Sequence, residues 1–201
     1  MKIVKSVWTK ALAALLVFTL LCGVLYPLAV TGISQLLFHN QANGSIIEVN
    51  GKKYGSTLLA QQFTGDRYLW GRIMNLDTKT YKDADGKPLL YAVPSNLSPA
   101  SEQYKKLVQQ RVEKIQAASP EKKGVPIPED LVTCSASGLD PHISPAAADY
   151  QVDRISKARN ISAQQVRDLI AKYTDGKFLG VFGEDTVNVL EVNLALDGIL
   201  K

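Results

Sequence analysis

Between Ala11 and Phe38 the chain runs for 28 residues without a charged side chain. As an α-helix this run is roughly 42 Å long, more than the ~30 Å hydrocarbon core of a bilayer requires. A cleaved secretory signal shares a basic start, but its apolar region covers only about 7 to 15 residues and ends in small residues. Here "YPLAVTGISQLLF" stays apolar where cleavage would fall. The reading is therefore a basic tail over residues 1–10 and an uncleaved transmembrane helix over residues 11–38. Lys2, Lys5 and Lys10 precede or open the run, and no acidic residue occurs before Glu48. That asymmetry predicts a cytoplasmic amino terminus and an extracytoplasmic domain over residues 39–201. Thr19 and Gly23 form a small-xxx-small pair one turn before Pro27. Such a face lets a neighbouring helix approach closely, the alternative being a lone anchor with ordinary intramembrane Gly and Pro.

The formal charge of +4 is a property of the tail. With its three lysines set aside, 20 basic residues face 19 acidic ones, a formal charge of +1. A near-neutral domain of this kind gives no ground for nucleic-acid binding. Cys22 falls in the apolar run and Cys134 in the domain, so no disulfide is expected.

Local signals past the anchor predict an α+β domain. "IIEVNGKKY" reads as a β-hairpin turning at Asn50-Gly51. Residues 65–97, rich in Asp, Gly, Pro and Asn, carry no sustained period and read as irregular. Ser98-Pro99 predicts a helix start, followed by a stripe of Tyr104, Leu107, Val108, Val112 and Ile115. Ser144-Pro145 predicts a second helix to about Arg159, turning at Asn160, and Ser162 with Gln165 a capping box for a third. "VNVLEVNLAL", from Val187 to Leu196, reads as a closing strand giving way to a short helical tail.

Ser137, Asp140 and His142 lie within six positions and are the residue types of a hydrolytic triad. A membrane-anchored, exported serine hydrolase is one functional reading. Gly138 and Asp140-Pro141 are also turn residues, and Ser144 a helix cap, so structural roles compete for the same side chains. Triads bring together residues from separate segments, and no G-x-S-x-G elbow occurs here. No Walker-type phosphate loop and no Cys/His spacing for zinc is present either. The expectation is no catalytic residue, no metal ligand and no directly bound cofactor. A binding module for an unrelated partner is a further alternative.

The combination of "YPL" in the span, "YGSTLLAQQF", "WGR", "SNLSPAS", "LVTCSASGLDPHISPAAADYQVDRISKAR" and a terminal "VNVLEVNLAL" resembles the C subunit of the Kdp potassium-transporting P-type ATPase. The similarity runs through essentially the whole chain. Its most specific block puts Ser135, Ser137, Gly138, Leu139, Asp140, Pro141, His142, Ser144, Pro145, Tyr150, Gln151 and Arg154 on matching positions. The family's Gly-Gly-Ser-Asn-Leu element, likened to a nucleotide-binding signature, survives as Ser95, Asn96 and Leu97, with Val93 and Pro94 in place of the glycines. The resemblance implies a non-enzymatic accessory subunit of a potassium pump, with a catalytic-chaperone role toward ATP binding. Its implied partners are a channel-like potassium-binding subunit, an ATP-hydrolysing subunit and a small single-span subunit, the complex handling ATP and potassium.

Overall fold

The computed structural model describes residues 2–201, with side chains from Ser6 onward. The Lys2 and Lys5 side chains of the basic tail lie outside the described residues. The chain divides into two units, one reaching to Ile46 and one from Ile47 to Lys201.

The first unit is an apolar helix in two parts, α1 (Lys2–Leu20) and α2 (Tyr26–Leu37), joined by a π-helical turn over Leu21–Leu25. In that turn the Tyr26 amide donates to the Leu21 carbonyl, one residue further back than an α-helical bond. Pro27 supplies the reason. It has no N–H for the Gly23 carbonyl and its ring crowds that carbonyl, so the helix widens by one residue there. Ser6–Leu37 is 32 residues long and apolar enough to cross a membrane. At Phe38 the backbone leaves helical geometry, and α3 (His39–Ala42) follows. The Asn43 side-chain amide donates to Gln35 Oε1 at 3.0 Å and to the His39 carbonyl at 2.6 Å, tying this exit back onto α2.

The second unit is α+β, as the sequence predicts. It opens with the expected hairpin, β1 (Ile46–Val49) and β2 (Lys52–Ser56), turned by Asn50 at φ 53° and Gly51 at φ 76°. Positive φ at both central positions is the type I′ requirement, which Asn-Gly meets at least cost. The irregular region contributes one short antiparallel pair, β3 (Leu76–Asp77) with β4 (Tyr91–Ala92).

The first domain helix, α4 (Glu102–Ala118), begins three residues later than Ser98-Pro99 suggests. Ser101 Oγ accepts the Tyr104 amide as the cap, while the Ser98 carbonyl accepts from Ser101 and so closes a turn ahead of the helix. Only Ile115 of the expected stripe is fully buried. Arg111 secures α4 to the domain instead, donating from Nε to the Leu131 carbonyl at 2.8 Å and from Nη2 to the Gly71 carbonyl at 3.2 Å.

A three-stranded antiparallel sheet ordered β5–β7–β6 and four helices enclose the core. The strands are β5 (His142–Ile143), β6 (Thr174–Asp175) and β7 (Thr186–Asn188). The helices are α5 (Pro145–Tyr150), α6 (Val152–Arg159), α7 (Ala163–Lys172) and α8 (Val189–Leu196). The Ser162–Gln165 capping box forms in both directions, and Asn160 ends α6 in left-handed geometry. Two departures from the sequence reading stand out. The helix expected from Pro145 to Arg159 is split at Gln151, whose amide bonds the Ala148 carbonyl three residues back and tightens the turn. The expected closing strand is only Thr186–Asn188, because Asn188 Oδ1 accepts the Glu191 amide and caps a helix where alternation suggested strand. That helix, α8, is buried nearly all round, and so lacks the one-sided stripe that identifies a surface helix.

Two consecutive residues without regular structure, Leu69 and Trp70, thread through this core. Asn193 on α8 donates to the Leu69 carbonyl at 2.9 Å and accepts its amide at 2.7 Å. Gln151 does the same for Trp70, at 3.0 and 2.8 Å. Two side-chain amides thus act as the neighbouring strands that this segment lacks. Removing one strands two buried backbone groups at about 1 to 3 kcal/mol each. Asn193→Ala is therefore expected to lower stability by about 3 kcal/mol or more, read by denaturant unfolding, with Gln151→Ala close behind. Leu196→Val, a volume change on the same helix without a polar partner, should cost about 1.5 kcal/mol or less.

Candidate functional site

The segment from Thr133 to Ser144 is a turn-rich strap, and its polar groups are engaged by neighbours. Ser135 Oγ accepts the Gly138 amide at 3.0 Å and Ser137 Oγ the Leu139 amide at 3.2 Å, the two hydroxyls lying 3.2 Å apart. Asp140 Oδ1 accepts the His142 amide at 3.0 Å, an Asx turn set up by Asp140-Pro141. Ser144 Oγ accepts the Ala147 amide at 3.2 Å, so the predicted cap forms with Pro145 in the first turn of α5.

The strap's backbone then reaches outward to three separate parts of the domain. Leu139 and Pro141 carbonyls accept from the amides of Ala60 and Val189 at 3.0 and 3.1 Å, and the Gly138 carbonyl accepts from Asn75 at 3.0 Å. Gly138 sits at φ +74°, and a Cβ there would lie 2.5 Å from the Val93 carbonyl oxygen and 2.9 Å from that of Asn75. Only glycine fits.

Beneath the strap the Arg72 guanidinium stands 3.5 Å from Asp130 and 3.9 Å from Asp140, and donates to Thr133 Oγ1 at 3.3 Å. Asp130 also accepts the Ser144 amide at 2.8 Å, linking this cluster to the start of α5. His142 Nε2 faces the Asn188 amide at 3.4 Å and Nδ1 faces Asp140 at 3.8 Å. Burial pushes the nearby Cys134 thiol up, the wrong direction for a reactive thiolate.

Tyr150, Gln151 and Arg154 of the same sequence block lie beyond the strap in the core. Arg154 Nη1 donates to the Asp66 carbonyl at 2.5 Å, and Nη2 to the Tyr68 carbonyl at 3.0 Å and to Gln151 Oε1 at 2.6 Å. Its guanidinium also stacks 4.1 Å from the Trp70 ring centroid. Desolvation lowers its pKa to about 10, which leaves it charged at neutral pH. Arg154 and Gln151 together hold the 65–70 segment against α6.

This geometry does not assemble the triad. Ser137 Oγ is spent on its own turn, and both His142 ring nitrogens face Asp140 and Asn188. Among the described residues no hydrogen bond joins Ser137 to His142, the contact nucleophilic catalysis requires. Nor does any group of three His, Cys, Asp or Glu residues converge to hold a metal among them. In the remnant of the glycine-rich element, the Val93 amide donates to the Asn75 carbonyl at 3.2 Å and Pro94 has no N–H. A backbone cradle for phosphate is missing two donors there. Ser95 and Leu97 line an apolar cleft with Tyr104, Leu107 and Val108, and Asn96 turns at φ 51°.

Arg72, Asp130, Asn188 and Asn193 are the partners that reading by motif misses. An asparagine inside a run as apolar as "VLEVNLAL" is the one signal that pointed to a buried polar contact.

Among the described residues one apolar helix, Ser6–Leu37, is long enough to cross a membrane, and a small α+β domain follows whose signature block is engaged in internal bonds. Comparison with known proteins gives the family. The family described as "KdpC: K+-transporting ATPase, c chain" matches residues 8–198. Proteins named potassium-transporting ATPase KdpC subunit are 63% identical in Clostridium perfringens, over the whole of both chains, and 62% identical in Clostridium botulinum over the same extent. One from Herpetosiphon aurantiacus is 45% identical over 97% of each chain. The chain belongs to the KdpC family.

Gly138→Ala is expected to destabilise the domain by about 2 kcal/mol or more through clash and backbone strain, and Ser144→Ala by about 0.5 to 2 kcal/mol through loss of the cap. Thermal unfolding of the two variants beside the parent chain measures both.

Proposed function

We propose that this chain is the non-catalytic accessory subunit of an ATP-driven potassium-uptake complex. It is anchored by residues 11–38, with residues 1–10 cytoplasmic and residues 39–201 outside. The observation that carries the reading is the family match through nearly the whole chain, joined to a signature block whose side chains hold the domain's own loops. Its partners are a channel-like potassium-binding subunit, an ATP-hydrolysing subunit and a small single-span subunit. In this reading the block from Ser135 to Pro145 is a docking element shaped by Gly138, Asp140 and Ser144 and braced by Tyr150, Gln151 and Arg154. The Thr19–Gly23 face, with Pro27 one turn on, packs against a partner helix.

Any effect on ATP affinity acts through the assembled complex, because the Ser95–Asn96–Leu97 element lacks the free backbone donors that a phosphate needs. The hydrolase alternative has no observation in its favour.

Purification of the tagged chain in mild detergent should recover the ATPase subunits, and their absence would defeat the proposal. Ser137→Ala should leave potassium-dependent ATP hydrolysis of that complex nearly unchanged, since one neutral turn bond is worth about 0.5 to 1.5 kcal/mol, whereas loss of a nucleophile abolishes turnover. Orientation is tested separately. With Cys22 and Cys134 replaced, Lys123→Cys in the exposed linker should react with an impermeant thiol reagent on intact cells. Reaction only after lysis would reverse the topology.

A further inference from the structure

Past β6 the chain continues as an arm that carries large apolar side chains into solvent. Phe178, Leu179, Val181 and Phe182 are 71, 76, 74 and 63% exposed, within five consecutive residues. Hydrogen bonds close the arm at both its tip and its base. The Phe178 amide donates to the Phe182 carbonyl at 2.8 Å and the Phe182 amide to the Phe178 carbonyl at 2.9 Å, closing the tip as a hairpin. At its base the Lys177 amide donates to Asp185 Oδ1 at 3.1 Å, and Lys177 Nζ pairs with Glu184 at 3.2 Å. The tip also holds Leu179 at φ 53°, left-handed geometry that a leucine adopts only under constraint and that glycine would occupy freely.

An isolated domain gains nothing from a leucine there. Glycine would relieve the backbone, and polar residues would relieve the exposed surface. Rigid, clustered aromatic and aliphatic side chains are what a protein interface uses as anchors. We infer that the Phe178–Phe182 tip is a docking knob for a protein partner, seated in an apolar pocket with a cationic rim on another subunit of the potassium-transporting ATPase. The inference rests on the subunit reading above.

Charge decides between a protein pocket and a lipid surface. Glu184 and Asp185 flank the tip against a single lysine, Lys177, which Glu184 already pairs. Side chains that settle into an anionic bilayer surface carry lysine and arginine beside their apolar residues, and this tip carries a net acidic base. A basic rim complements it and fixes the orientation of the knob.

Leu179→Gly separates docking from folding. It relieves the backbone, so unfolding of the full chain in detergent should occur at the same or a higher temperature, while co-recovery of the ATPase subunits falls by about tenfold or more, the loss of one interface anchor. Phe182→Ser should lower recovery similarly. A photoreactive benzoylphenylalanine in place of Phe182, activated in the intact complex, should form an adduct with one ATPase subunit. Should the parent chain itself recover no ATPase subunit, it is the subunit reading that fails. Parent recovery matched by Leu179→Gly and Phe182→Ser, or an adduct only with lipid or with no subunit of a complete complex, overturns the knob alone.

Discussion

Everything in the domain hangs on how the backbone of Leu69 and Trp70 is satisfied. A chain segment that crosses a core outside any helix or sheet exposes amides and carbonyls to a medium without water, and each unpaired group costs free energy comparable to a lost bond. Here Asn193 and Gln151 each present one carboxamide edge-on to one residue, giving and taking a bond as a neighbouring strand does. Those contacts fix where α8 and the α5–α6 junction stand relative to the same two residues. Trp70 then becomes a platform, with the Arg154 guanidinium on its face and the guanidinium of Arg111 5.8 Å from its ring centroid. Through Arg111, α4 is brought to Gly71 and Leu131.

The strap follows from that frame. Gly71 and Arg72 come directly after the clamped pair, and the Arg72 guanidinium meets Asp130 and Asp140. Asp130 in turn holds the amide of Ser144, the residue that caps α5 and leads back to Gln151. The polar contacts therefore form a closed circuit from Trp70 through Arg72, Asp130, Ser144 and α5 to Gln151. Partly exposed ion pairs contribute modest energy individually. Their value here is geometric, since each restricts where the next donor can find its acceptor.

Local signals in the sequence were reliable at most positions where the chemistry is local. Asn50-Gly51, Asn160, Ser144 with Pro145, and Ser162 with Gln165 do their work within four residues, so the letters alone fix the bond. Ser98-Pro99 is a local miss: it has the letters of a helix start, but Ser101 takes the cap. The other misses share a different cause. At Gln151 the helix breaks where the side chain takes both the Ala147 carbonyl and a backbone 81 residues away. α8 looks like a strand because a helix buried on all sides loses the polar face that gives period 3.6 its contrast. The candidate site divides in the same way. The turns and caps of Ser135 to Pro145 could be read directly, whereas Arg72, Asp130 and Asn188 enter it through the fold.

Within a core that is mostly apolar the domain buries several hydrogen-bonded polar side chains, and at its surface it displays a cluster of large apolar ones. Its centre contains Asn193, Gln151 and Arg154, all but buried, and its periphery displays Phe178, Leu179, Val181 and Phe182. Buried amides contribute less to stability than hydrocarbon of the same volume, but a carboxamide bonded at both ends admits one position and excludes the slipped packings that an all-apolar core tolerates. Exposed apolar groups are the converse, a standing liability for a chain that acts alone. The two features make sense together in a protein that must hold a single conformation in order to present a fixed apolar surface. A tip already closed by its own backbone bonds would lose little conformational freedom on docking, so more of its burial energy would remain as affinity.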